Sequence, residues 1–123
     1  LEGTKLQNFT PISKIDKLQA IDTKPGTGSE AQAGDTVTVL YTGAVAATGV
    51  IFQSTEDTGQ PVTFSLNQVI TGWKDGIPGM KTGGVRRLLI PAAQAYGANP
   101  PAGSNIPANA DLVFDVTLLS IGK

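Results

Sequence analysis

Seven aromatic side chains hold most of the chemical interest of this sequence: Phe9, Tyr41, Phe52, Phe64, Trp73, Tyr96 and Phe114. Rings in strands ordinarily build a core, but two of these sit elsewhere. Tyr96 lies in a stretch rich in Gly, Pro, Ala and Asn, and the single Trp follows Gly72 in the one good helix candidate. Tyr and Trp carry a polar edge that needs a partner when buried, so these two are odd places for pure packing and weaken the core reading. More conventional chemistries drop out. The 123 residues include no Cys and no His, which removes thiol and imidazole nucleophiles, Ser-His-Asp triads and His/Cys metal sites. Ser54, Ser65 and Ser104 have no histidine to activate them. Glu56-Asp57 falls in a turn-like stretch and reads as solvated, and no acidic run has calcium-loop spacing. Gly26-Thr-Gly28-Ser-Glu-Ala31 matches a dinucleotide-site pattern, yet a strand follows it, so no helix N-terminus would meet the phosphates.

The elements that must position the rings are mostly strands. Fifteen Gly and eight Pro suit strands joined by turns, and 40% hydrophobic residues can fill a core without disulfides or metal. Nine basic residues against ten acidic give a net charge of -1, without the basic excess of a nucleic-acid binder. The only dense basic spot, Lys81, Arg86 and Arg87, reads as a solvated turn and strand edge. No apolar run approaches the ~20 residues of a membrane-spanning helix. Strands are expected over Lys17 to Thr23, Thr36 to Val45, Val62 to Leu66, Val85 to Ile90 and Leu112 to Ile121, with Ile51-Phe52 a short apolar pair after Gly49. The helix candidate is Thr71 to Ile77, ended by Pro78-Gly79. Residues 1–16 read as an extension or linker, anchored by Leu6 or Phe9, and Ala92 to Ala110 as a loop long enough to suggest use. About five strands and one short helix make an α+β domain.

The ordered series Val39-Leu40-Tyr41-Thr42-Gly43, Gly49-Val-Ile-Phe52-Gln-Ser54, Pro61-Val-Thr-Phe64, Val69-Ile70-Thr-Gly72-Trp73-Lys-Asp-Gly76, Met80-Lys-Thr-Gly83, Ile90-Pro91, Ala95-Tyr96-Gly97, Ile106-Pro107 and Leu112-Val-Phe114-Asp115 closely resembles the FKBP family of peptidyl-prolyl cis-trans isomerases. The resemblance runs from about Lys17 to the C-terminus, so residues 17–123 are expected to form the isomerase domain. It implies a twisted antiparallel sheet wrapped around one short helix, with a pocket between them. By position, Trp73 should be the floor, with Tyr41, Phe52, Val69, Ile70 and Phe114 as walls and Val62 at the side. Tyr96 and Ile106 should come from the long loop, with Asn105 at the rim. In the family the N–H at the Ile70 position and the hydroxyl at the Tyr96 position bond ligand carbonyls.

The resemblance further implies rotation of X-Pro bonds during protein folding, with no cofactor and no metal, proline-containing polypeptides as partners, and binding of tacrolimus and rapamycin. The charge balance and the lack of a long apolar run argue against nucleic acid and a membrane span, and a monomer is expected. Three positions depart from the family pattern. Gln53 replaces an Asp tied to efficient turnover, Thr58 replaces a common Arg, and Asn105 replaces a common Ile. A neutral cluster of Gln53, Tyr41 and Thr58 is expected in place of the ion pair, and with it a slower isomerase. A proline-recognising module or folding helper without useful turnover is the alternative. Low charge, many Thr, Ala and Gly, and the Asn8-Phe9-Thr10 sequon lean towards an extracytoplasmic setting.

Overall fold

The computed structural model describes residues 1–122. Six strands form one antiparallel sheet: β1 (Gln19–Lys24), β2 (Thr36–Val45), β3 (Ile51–Ser54), β4 (Val62–Ser65), β5 (Val85–Ile90) and β6 (Leu112–Gly122). The order is β1-β5-β6-β2-β3, with β4 also on β2. Strands β3 and β4 share the free edge of β2, β4 along Thr36–Val39 and β3 along Thr42–Ala44. The sixth strand, β3, exceeds the expected count. Its sequence, Ile-Phe-Gln-Ser, opens on two adjacent apolar residues and shows no alternation, and it gains its partner from β2 rather than from its own pattern.

Alternation on β2 divides the sheet into two faces. Val37, Val39, Tyr41 and Val45 point inward, joining Leu88, Ile90, Leu112, Phe114, Val116 and Leu118 of β5 and β6 in the main core. Ala44, Leu89 and Val113 point outward into a second apolar cluster. The N-terminal arm closes this second cluster with Leu6 and Ile15, backed by Phe9 and Ile12. Backbone bonds tie the arm down: Gly3 N to Ile51 O, Leu6 N to Gly49 O and Ile12 N to Ala46 O, each 2.8 Å.

The helix α1 (Thr71–Gly76) lies on the inner face. Its two glycines are poor helix formers, each about 1 kcal/mol worse than Ala, but they allow close approach to β5. A Cβ on Gly72 would stand 2.5 Å from Ile90 Cγ2, and one on Gly76 2.7 Å from Leu88 Cδ2. Packing of buried Trp73 and Ile77 offsets the weak propensity. The C-terminal carbonyls are satisfied from outside the helix, because Arg86 Nη1 donates to Gly76 O at 2.8 Å and Pro78 O at 3.2 Å. Positive charge at a helix C-terminus is also favourable. This corrects the solvated reading for Arg86 and Arg87, whereas Lys81 is exposed as expected. The Arg86 and Arg87 side chains are only 12% and 15% exposed, paired with Asp22 and Asp115.

Candidate functional site

Between α1 and the inner sheet face lies a cavity of about 220 Å3. Tyr41 comes from β2, Phe52 and Gln53 from β3, Phe64 from β4 and Phe114 from β6. Gln68, Val69 and Ile70 come from the segment entering α1, Trp73 from α1, and Tyr96 from the long loop. All seven positions expected to take part in the chemistry, Tyr41, Phe52, Gln53, Ile70, Trp73, Tyr96 and Phe114, line it together with Val69. Three other expected contacts sit elsewhere. Val62 packs against the core without reaching the cavity, and Ile106 lines an adjoining one. Asn105 is turned to the arm, its Nδ2 donating to Glu2 Oε2 at 2.9 Å.

Phe64 and Gln68 line the cavity although the sequence reading did not place them there. Phe64 was legible as an inward position two residues beyond Val62, and its longer ring reaches the indole, with centroids 5.4 Å apart. Gln68 gave no signal, since it lies in a turn between β4 and α1 where no periodicity applies.

The rings are arranged around Trp73. Its plane is 86° from Tyr41, 87° from Phe64 and 88° from Phe114, at centroid distances of 5.1, 5.4 and 5.3 Å. Ring quadrupoles favour this edge-to-face geometry, worth about 0.5–1.5 kcal/mol per pair beyond area burial. Phe52 meets Phe114 at 88° and 5.7 Å. Gly43 makes room for that pair, because a Cβ there would lie 2.7 Å from both Phe114 Cε1 and Phe52 Cζ.

Two donors at the site lack a protein acceptor. Trp73 Nε1 is buried without a hydrogen bond. The N–H of Ile70, at the N-cap of α1, bonds to nothing among the described residues. Burial pushes the Tyr41 phenol up from its ordinary value, with a smaller contribution from Tyr96. The site therefore combines an apolar hollow, a neutral phenol and, on the lining residue Ile70, a backbone donor without a partner among the described residues.

The expected neutral cluster does not form. No hydrogen bond joins Gln53 or Thr58 to Tyr41 among the described residues; Thr58 Oγ1 turns back to Thr55 O at 3.1 Å. Thr55 takes the position instead. Its Oγ1 accepts from Tyr41 N at 3.1 Å and donates to Tyr41 O at 3.3 Å. These bonds fill the gap on the β2 edge between the β4 and β3 pairings, and so fix Tyr41 through its backbone. Among the described residues no group of three His, Cys, Asp or Glu could hold a metal ion, and no helix is long and apolar enough to cross a membrane.

Comparison with known proteins agrees with this geometry. The family model for FKBP-type peptidyl-prolyl cis-trans isomerase matches residues 27–119. The chain belongs to this family. It is 50% identical over 100 residues to the FKBP-type peptidyl-prolyl cis-trans isomerase FkpA of Aeromonas hydrophila, covering 81% of this chain but only 36% of that protein. It is 46% identical over 102 residues to an FK506-binding protein of Neisseria meningitidis serogroup B, covering 81% of this chain and 92% of that one. The crystal structure of a peptidyl-prolyl cis-trans isomerase from Pseudomonas syringae superposes with a TM-score of 0.77 at 34% identity, covering 91% of this chain and 80% of the other. This FKBP-type domain thus spans about a third of the Aeromonas relative and nearly all of the Neisseria one. The ring-lined cavity falls inside the matched region, whereas the arm that closes the outer face lies before it.

Proposed function

We propose that the chain is a peptidyl-prolyl cis-trans isomerase that speeds rotation about X-Pro bonds in polypeptides. The observation that carries this is the hollow of about 220 Å3 walled by Tyr41, Phe52, Phe64, Trp73 and Phe114. It is smaller than the roughly 300–1,000 Å3 of a site for a drug-sized ligand, and suits one apolar side chain such as a pyrrolidine ring. The barrier to rotation, ~18–20 kcal/mol, comes from amide resonance. The planar amide is the more polar form, so taking it out of water favours the twisted one. Seating the ring on Trp73 orients the bond, and the Ile70 N–H is placed to hold a carbonyl next to it. A donor that bonds the twisted state better than the planar one lowers the barrier further. About 6 kcal/mol removed in total corresponds to roughly ten-thousandfold. No acid, base, metal or nucleophile takes part.

The same walls support binding of tacrolimus and rapamycin, with the adjoining cavity of about 370 Å3 taking the remainder of those ligands. Gln53 is exposed and carries no charge, which supports turnover slower than in members with Asp there. A protease-coupled assay on a Leu-Pro or Phe-Pro peptide tests the proposal. Turnover well above buffer is expected, with a further gain in Gln53→Asp. A rate no higher than buffer in both chains would overturn the enzymatic reading and leave a proline-binding module. The low charge and the Asn8 sequon support an extracytoplasmic setting, which fractionation of cells expressing the full-length protein checks.

A further inference from the structure

A substrate chain entering the prolyl hollow must also leave it, and the second cavity offers the way out. It shares Phe52, Gln53 and Tyr96 with the hollow. Its outer wall is the tip of the long loop, Pro101 to Ser104 with Ile106, and Glu2 of the arm stands across from it. Glu2 is the only Asp, Glu, Lys or Arg among these walls. Its Oε2 accepts from Asn105 Nδ2 at 2.9 Å, which leaves Oε1 available. The arm holds the carboxylate in place, because Gly3 N donates to Ile51 O and Ile51 N to Thr4 O, both at 2.8 Å.

The charges nearby do not cancel it. Asp57 accepts from Glu2 N at 3.2 Å and is also engaged by the Leu1 amino group. Glu56 is exposed on the same turn, and Lys5 is directed to Thr48 O. The wall of the second cavity therefore carries the Glu2 carboxylate and no cationic side chain.

We infer that this cavity receives the residue flanking the proline and that Glu2 makes it favour a cationic side chain, Lys or Arg. The inference rests on the prolyl-pocket reading above and names the substrate class that pocket prefers. A carboxylate at a solvent-exposed rim attracts a cation modestly, so the preference is of order two- to fivefold, and salt should weaken it.

Two peptide series test this, one varying the residue before proline and one the residue after, each with Lys, Leu or Glu. Both kcat/KM and the dissociation constant, from quenching of Trp73 fluorescence, are measured at low and high salt. The Leu peptides report the pocket itself and the Lys-to-Glu ratio reports the inference. Expected is a ratio of roughly two to five in at least one series, shrinking with salt, falling towards one in Glu2→Gln and inverting in Glu2→Lys. A ratio near one in both series, or one that survives Glu2→Gln, overturns the inference while Leu-peptide binding leaves the pocket reading intact. If the Leu peptides bind but do not turn over, the dissociation constants decide it alone. A chain that binds none of the peptides overturns both readings.

Discussion

The two faces of the sheet are packed from similar apolar residues but finished differently. On the outer face the arm fills the space above Ala44, Leu89 and Val113, and the polar groups beside it find partners. Arg87 donates from Nε and Nη2 to Asp115 at 2.6 and 2.7 Å, from Nη1 to Asn8 O at 2.7 Å and from Nη2 to Gln7 O at 3.1 Å. Its guanidinium also lies 5.5 Å from the Phe9 centroid, within reach of a cation–π contact. On the inner face the rings surround a hollow, and Ile70 N–H and Trp73 Nε1 lack acceptors. A buried donor without a partner, as Trp73 Nε1 is among the described residues, costs about 1–3 kcal/mol, and folding alone gives no reason to keep it. Unmet hydrogen-bonding capacity, more than the presence of aromatics, distinguishes the binding face from the structural one.

Removing the floor should expose the contrast most strongly. Trp73→Ala deletes an indole that is 4% exposed, and large-to-small core changes of this kind cost about 3–5 kcal/mol. Because one side of the ring borders a cavity, the loss should fall near the lower end of that range in urea denaturation. Tacrolimus affinity, by calorimetry on the folded fraction, should disappear. Retained affinity would show that the hollow is not the binding face.

Breaking the outer clamp should be costly to stability and silent at the site. Arg87→Met strands Asp115 and the Gln7 and Asn8 carbonyls while keeping an apolar stem over Phe9. Partial exposure of the pair discounts the penalty for a lone buried charge, giving a loss of about 1–3 kcal/mol. Hydrogen exchange should quicken at the Leu6 and Ile12 amides, which bond to Gly49 O and Ala46 O. Tacrolimus affinity should stay within about a factor of two, since 1.4 kcal/mol is already tenfold. A tenfold drop would mean that the faces are coupled. The coupling would run through Asp111, whose carboxylate bonds both Ile15 N of the arm at 2.7 Å and Ala92 N of the pocket loop at 2.9 Å.

What the sequence disclosed follows this division. β2 was legible at both ends because ten residues of β-branched and aromatic alternation leave little choice of face. The pocket's Tyr41, Phe52, Trp73 and Phe114 were placed by the resemblance of an ordered set of motifs to a known family, which carries topology as well as residue type. The arm was harder to read. Leu6, Phe9, Ile12 and Ile15 show a spacing of three, yet they form no helix, because Pro11 interrupts the segment and their partners are residues up to about a hundred positions away. Arg86 and Arg87 looked solvated because a charge reveals its partner only in space. Thr55 could not be singled out from its neighbour Thr58, since its role comes from the point at which β2 changes partner.

The smallest expected effect concerns the dryness of the hollow. Tyr41 has its phenol pushed above the ordinary value of 10.0, chiefly by burial and secondarily by Tyr96. In the unfolded chain the same phenol releases its proton near the ordinary value. The folded state therefore holds the proton more tightly, and its advantage is complete below that value and lost as pH rises above it. Urea midpoints followed from about pH 8 to about pH 11 should fall more steeply in the native chain than in Tyr41→Phe, where lysine deprotonation still operates but this phenol does not. Parallel curves would mean that water reaches the phenol as freely in the folded protein as in the unfolded one. In that case the inner face would be no drier than the outer, and desolvation could not supply the lowered barrier.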